Sequence, residues 1–133
     1  LKTFISEENK GDILFLGVVP NEQLPHEIEK SAVCVYPSHM EAMPIAWIEV
    51  MSMGMPFVAS ILGPGKELIS HGESGLLCNP LDLDDLTEQV VYILENGQKG
   101  KGMGGKARLY ARENFTVDHV LKQNIEFYKS ILS

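Results

Sequence analysis

"EAMPIAWIEVMSMGMPFVAS", running from Glu41 to Ser60, holds a helix and a strand back to back. Pro44 suits the first turn of a helix, where its missing amide hydrogen is no loss. The helix then runs to Met53 and stops at Gly54, a residue suited to a helix C-terminus. Pro56 opens a different pattern, "PFVASIL", an apolar run that reads as a buried strand. After Glu41 this stretch has one charged side chain, Glu49, and the next charge is Lys66. With Ile45, Trp47, Ile48, Val50, Met51 and Met53 around it, Glu49 is expected to be buried on most of its circumference. An ionised carboxylate in such surroundings is costly unless it has partners. It must therefore face a strip of solvent, a cation brought in by the fold, or a polar ligand in a cleft.

Outward from this stretch, helix and strand signals alternate. "DILFLG" (residues 12–17) reads as a strand ended by Gly17, and "NEQLPHEIEKS" as a helix with Asn21 as N-cap and Pro25 near its start. "AVCVYP" is a strand closed by Pro37, and "SHMEAM" is the loop before the Pro44 helix. After "PFVASIL", "GPG" is a sharp turn, "KELISHG" makes one or two helical turns, and "GLLC" is a strand. From Leu83 the pattern is helical to the end. "GKGMGG" (residues 100–105) follows no strand and reads as a flexible connection between helices, not a phosphate loop. In the last segment Val117, Val120, Leu121, Ile125, Tyr128 and Leu132 share one helical face. Strands without polar alternation, separated by helices, predict an α/β fold: a Rossmann-like parallel sheet with helices on both faces and a helical C-terminus. About four strands are present, and ligands bind such sheets at the carboxyl ends of their strands.

Bulk properties exclude several classes. The 133 residues suit one domain with a real core. Composition is 44% hydrophobic and 22% charged, typical of a globular chain. A net charge of −7 with only two arginines, Arg108 and Arg112, argues against nucleic acid as a partner. Cys34 and Cys78 sit in apolar runs and read as small buried hydrophobes of a chain in a reducing, cytoplasmic setting. No apolar run has bilayer-spanning length. His26, His39, His71 and His119 show no zinc-ligand spacing, so no metal site is expected.

The Pro44 helix follows a strand, which puts its amino end at the ligand-binding edge. The free amides of Ile45 and Ala46 and the helix dipole make an anion site there. Glu49 lies about one turn further in, roughly 5 Å along the axis. Phosphates on the amides and ribose hydroxyls on Glu49 would suit a nucleotide, with Glu41 on the far side of the phosphates, beside an attached sugar. A core salt bridge for Glu49 and simple solvation of Glu41 are the alternatives on spacing alone. His39 and Lys66 are further candidates at this edge, and each also reads as an ordinary surface side chain.

At this point the chain resembles a known family. The ordered set Pro37, Ser38, Glu41, Glu49, Gly54 and Pro56 is similar to the donor-binding, carboxyl-terminal half of retaining GT-B glycosyltransferases of family four. It is followed by Glu67, Gly72, "SGLL", Pro80, Asp82, and Ala107, Arg108 and Phe115. The likeness covers Leu14 to about Tyr128. It implies transfer of a sugar from a nucleotide-diphosphate donor to an acceptor hydroxyl with retention, without a metal or other cofactor. Glu41 would approach the donor sugar as the catalytic residue, and Glu49 would bind the ribose. Ile45 and Ala46 would hold the diphosphate, Met43 would be a further donor-binding residue, and Val18 and Val19 would lie beside the nucleobase. Polysaccharide or glycolipid biosynthesis is the expected setting, and a small-molecule product is equally compatible.

Departures from the family pattern accompany the likeness. Ala42, Met43 and Pro44 stand where a Glu-Gly-Phe-Gly style loop is usual, and Pro44 removes one backbone donor. The phosphate-clamping Arg and Lys of the family belong to a segment that would precede Leu1. Residues 1–133 are thus expected to form one partial domain that lacks its first strands and the acceptor-binding domain. Such a chain is expected to be inert alone, to bind nucleotide sugar weakly, and to self-associate through its exposed sheet edge. Membrane contact on the inner face would come through the missing half. The rival readings are a sugar-nucleotide epimerase of the same architecture and a non-catalytic scaffold.

Overall fold

The computed structural model describes residues 5–132. After a 3-10 helix (Glu7–Asp12), the order is α1 (Leu24–Glu29), β1 (Cys34–Tyr36), α2 (Ile45–Met53), β2 (Phe57–Ser60), α3 (Gly65–Leu68) and β3 (Leu76–Cys78). Three longer helices follow: α4 (Leu83–Glu95), α5 (Gly97–Asn114) and α6 (Val117–Leu132). The strands form one parallel sheet in the order β1-β2-β3, with Val35 beside Val58 and Ala59 beside Leu77.

Both faces of the sheet are covered, as a parallel sheet requires. One face packs Phe57, Ala59 and Leu77 against Trp47, Val50 and Met51 of α2 and Ala107 and Ala111 of α5. The other turns Val58, Leu76 and Cys78 onto Ile93 and Met103, with Leu86 and Val90 of α4 alongside. Alternate residues of β2 therefore serve opposite cores, and all four are fully buried. This is why "PFVASIL" reads as a continuous apolar run with no polar alternation.

Local signals set several boundaries. Gly54 caps α2 at φ 72°, with its N–H donating to Met51 and that of Met55 reaching back to Val50. Asp82 caps α4, its carboxylate accepting from the amides of Asp84 and Asp85. Pro44 stands at the N-cap of α2, one place before the first turn, and its carbonyl accepts from Trp47 and Ile48. α1 starts at Leu24, with Gln23 in the N-cap place predicted for Asn21, because residues 20–23 first close a turn from Gln23 N–H to Pro20 O.

Three larger expectations are corrected. Residues 12–17 are not a strand: Ile13, Leu14 and Leu16 are exposed, and the sheet has three strands among the described residues, not four. An apolar run becomes a strand only when a neighbour supplies its ladder, and no described segment does so here. "GKGMGG" is not a connection but lies inside α5. Gly100 and Gly104 are buried on the face that meets α2, Pro56 and Ile93, and a Cβ on Gly104 would strike the carbonyl of Gly54. Their role is close approach, not flexibility. The apolar face of α6 exists at the predicted spacing, yet no described residue of that helix is buried.

Candidate functional site

β1 ends at Tyr36, and the loop of residues 37–44 carries the chain to α2, so the amino end of α2 stands at the carboxyl edge of the sheet. No side chain caps this end. The amides of Ile45 and Ala46 precede any carbonyl one turn back to which they could donate. Both residues are exposed, Ile45 to 61%. The predicted anion-binding end is open.

Glu49 lies one turn further along, and here the burial expected from the sequence is corrected: the residue is exposed. α2 is apolar around most of its circumference, but only Trp47, Val50 and Met51 are buried. The helix leaves Ile45, Ala46, Glu49 and Ser52 on its outer side. There Glu49 lines a cleft of about 320 Å³ between α1 and α2. Its walls are otherwise largely apolar, with Leu24, Pro25 and Ile28 opposite Ile48 and Met53. Among the described residues Glu49 has no hydrogen-bond or ion-pair partner, so the core salt bridge is not formed.

Glu41 is half-buried in the same loop, before α2. Its backbone is held by the turn after β2: Gly63 sits at φ 62°, and a Cβ there would lie 2.7 Å from the Glu41 carbonyl oxygen. The loops after β1 and β2 thus close on each other at the carboxyl edge. Met43 (55% exposed) and His39 belong to this loop and stand open to solvent. Val18 is 99% exposed and Val19 half-buried on the segment that leads into α1; neither lines the cleft. Lys66 is set apart, lining a second cleft with His71, Asp85 and Gln89. No three His, Cys, Asp or Glu side chains among the described residues gather as a metal would require.

Two contributors went unread in the sequence. The wall of the cleft formed by Leu24 and Ile28 carried a signal, an apolar pair four residues apart on a short helix. Tyr36 was the other. Burial, then the Cys34 sulfur, then the Glu49 carboxylate push its phenol up to about 12.

That shift predicts a pH dependence. An unfolded tyrosine ionises near 10, so between there and about 12 the unfolded chain binds fewer protons than the folded one. Stability contributed by Tyr36 is full below pH 10 and declines as pH rises through that window. Chemical denaturation across it is expected to show the decline, with a shallower slope in Tyr36→Phe. An unchanged slope in the variant would remove Tyr36 as the source.

Comparison with known proteins adds four findings. The profile of the family described as "Glycosyl transferases group 1" matches residues 1–110. The O-antigen chain mannosyltransferase B of Escherichia coli is 29% identical over 120 residues, covering 90% of this chain and 31% of that protein. Among solved structures, sucrose-phosphate synthase from Thermosynechococcus elongatus superposes with a TM-score of 0.89 at 27% identity, over 98% of this chain and 33% of that one. Anabaena Alr3699/HepE in complex with UDP and glucose superposes at 0.83 with 25% identity, over 91% and 33%. The chain thus spans about a third of the length of each of these proteins.

Proposed function

The chain belongs to the glycosyl transferases of group 1, and on that premise we propose that it forms the donor side of a retaining, family-four GT-B transferase acting without a metal. The reaction moves a sugar from a nucleoside diphosphate to an acceptor hydroxyl. The observation that carries this reading is Glu49: a carboxylate without a partner among the described residues, in a cleft with largely apolar walls, one turn inside an uncapped helix N-terminus. An anionic diphosphate is stabilised by the amides of Ile45 and Ala46 and the positive end of the helix dipole. Ribose hydroxyls donate to Glu49, and the apolar walls formed by Leu24 and Ile48 exclude water from those bonds.

Glu41 then lies on the sugar side of the diphosphate. Its negative charge stabilises the oxocarbenium character that develops as the glycosidic bond breaks. Met43 flanks the diphosphate, and Val18 and Val19 lie toward the nucleobase. Pro44 offers no amide at the mouth of the helix, so fewer backbone donors hold the sugar than in a glycine loop. Because the chain spans about a third of its relatives, transfer belongs in this proposal to a longer polypeptide that also binds the acceptor. Polysaccharide or glycolipid synthesis is the pathway class, in keeping with the name of the E. coli relative.

The test is direct titration with UDP, GDP and ADP by calorimetry. One of them is expected to bind, and Glu49→Ala is expected to weaken it by about 1–3 kcal/mol, roughly 5- to 150-fold. Absence of binding by any of the three, in a chain as long as the relatives, would favour the scaffold reading. Conversion of a bound sugar nucleotide to its epimer would favour the epimerase.

A further inference from the structure

β3 is the edge of the sheet among the described residues, and its outward-pointing amides are met by side chains instead of another strand. In a parallel strand alternate residues turn their backbone groups to opposite sides. The carbonyl of Cys78 faces β2, where it accepts from the amide of Ile61, so Leu77 and Asn79 face outward. The Leu77 amide donates to Nδ1 of His71 at 2.9 Å, and the Asn79 amide to Oδ2 of Asp85 at 2.6 Å. Both donors of an edge that would otherwise stay open are thereby sealed.

The two caps differ in chemistry. A carboxylate accepts through either oxygen, whereas an imidazole nitrogen accepts only when it carries no proton. The bond to Leu77 therefore fixes His71 as the neutral tautomer with its hydrogen on Nε2. Protonation would put an N–H at Nδ1, facing the Leu77 N–H, and the bond could not survive. The charged groups that share the His71 cleft are Lys66 from α3 and Asp85 from α4, with neutral Gln89 beside them. Glu73, in the same connection, lines a different cleft with Lys99 and Lys106.

We propose that His71 is a pH-operated latch on the outer edge of β3: neutral, it holds the connection from α3 to the strand, and protonated, it releases the Leu77 amide. That connection is otherwise tied mainly to itself. Gly72 N–H donates to Gly75 O, the amides of Glu73 and Ser74 donate to Ser70 O, and Ser70 N–H donates to the Ser74 hydroxyl.

Amide hydrogen exchange at Leu77 tests the latch, whatever the chain binds. Protection, corrected for the intrinsic pH dependence of exchange, is expected to fall about tenfold or more between about pH 8 and pH 5. Asn79, capped by a carboxylate, is the internal reference and keeps its protection. His71→Asn retains an acceptor near the place of Nδ1 but cannot titrate, so its Leu77 protection is expected to stay level across the range. The proposal is overturned if wild-type Leu77 protection is flat. It is overturned equally if Asn79 loses protection in parallel, or if His71→Asn shows the same acid loss.

Discussion

On the proposed function, Glu41→Gln in a chain as long as the relatives is expected to lower the turnover of sugar transfer about 100-fold or more, by the scale of preorganised electrostatic groups in active sites. Nucleoside diphosphate affinity, in contrast, is expected to stay within about twofold, because the substitution leaves the ribose and diphosphate contacts proposed for Glu49, Ile45 and Ala46 in place. Glutamine keeps the size of the side chain and one acceptor oxygen, removes the charge and replaces the second oxygen by an NH2 donor. Charge is what matters if Glu41 acts on a transition state with oxocarbenium character, since positive charge there exceeds that of the bound donor. The side chain is half-buried, and its backbone is fixed by Gly63, which admits no Cβ between the two loops. Steady-state kinetics with separate calorimetry of the nucleotide decides the matter. A turnover loss below about threefold, or an affinity loss that matches the turnover loss, would take Glu41 out of the chemical step.

Two adjacent glycines of α5 are expected to respond in opposite directions to the same added methyl group. Gly105 faces open space, so Gly105→Ala is expected to stabilise the fold by about 0.5–1 kcal/mol through helix propensity alone. Gly104→Ala places its Cβ against the carbonyl of Gly54 and within 2.7 Å of that residue's carbonyl carbon and 2.9 Å of the carbonyl carbon of Met55. Those atoms are backbone at the C-terminus of α2, and they cannot rotate aside as a side-chain tip would. Overpacking of this kind costs about 1–3 kcal/mol or more, enough to outweigh the propensity gain. Urea denaturation with unchanged m-values is the measurement. Stabilisation by both substitutions would mean that α5 does not cross α2 as closely as described.

The contrast between these glycines marks how far the residues can be read in one dimension. Proline and glycine punctuation act on their own backbone and their near neighbours, so the strand "AVCVYP", the helix ending at Gly54 and the strand after Pro56 were all legible, and with them the α/β class. The uncapped amides of Ile45 and Ala46 were legible for the same reason: a helix start after a strand implies them. The chemistry at Glu41 and Glu49 was suggested by spacing and by likeness to a family, whose membership the match over residues 1–110 establishes.

What only the tertiary structure decided depends on partners distant along the chain. Gly100 and Gly104 look like a flexible linker until α2, Pro56 and Ile93 are packed against them. Residues 12–17 look like a strand until the ladder is sought and no described neighbour supplies it. α2 is apolar on almost every side, so its periodicity could not say which face meets the sheet, and Glu49 emerged in a cleft instead of the core. His71 and Asp85 gave no local sign of sealing an edge, because the amides they cap lie six residues away and acquire a direction only when β3 pairs with β2. Propensity is a property of neighbours in sequence; burial, close approach and the exposure of a carboxylate are properties of neighbours in space.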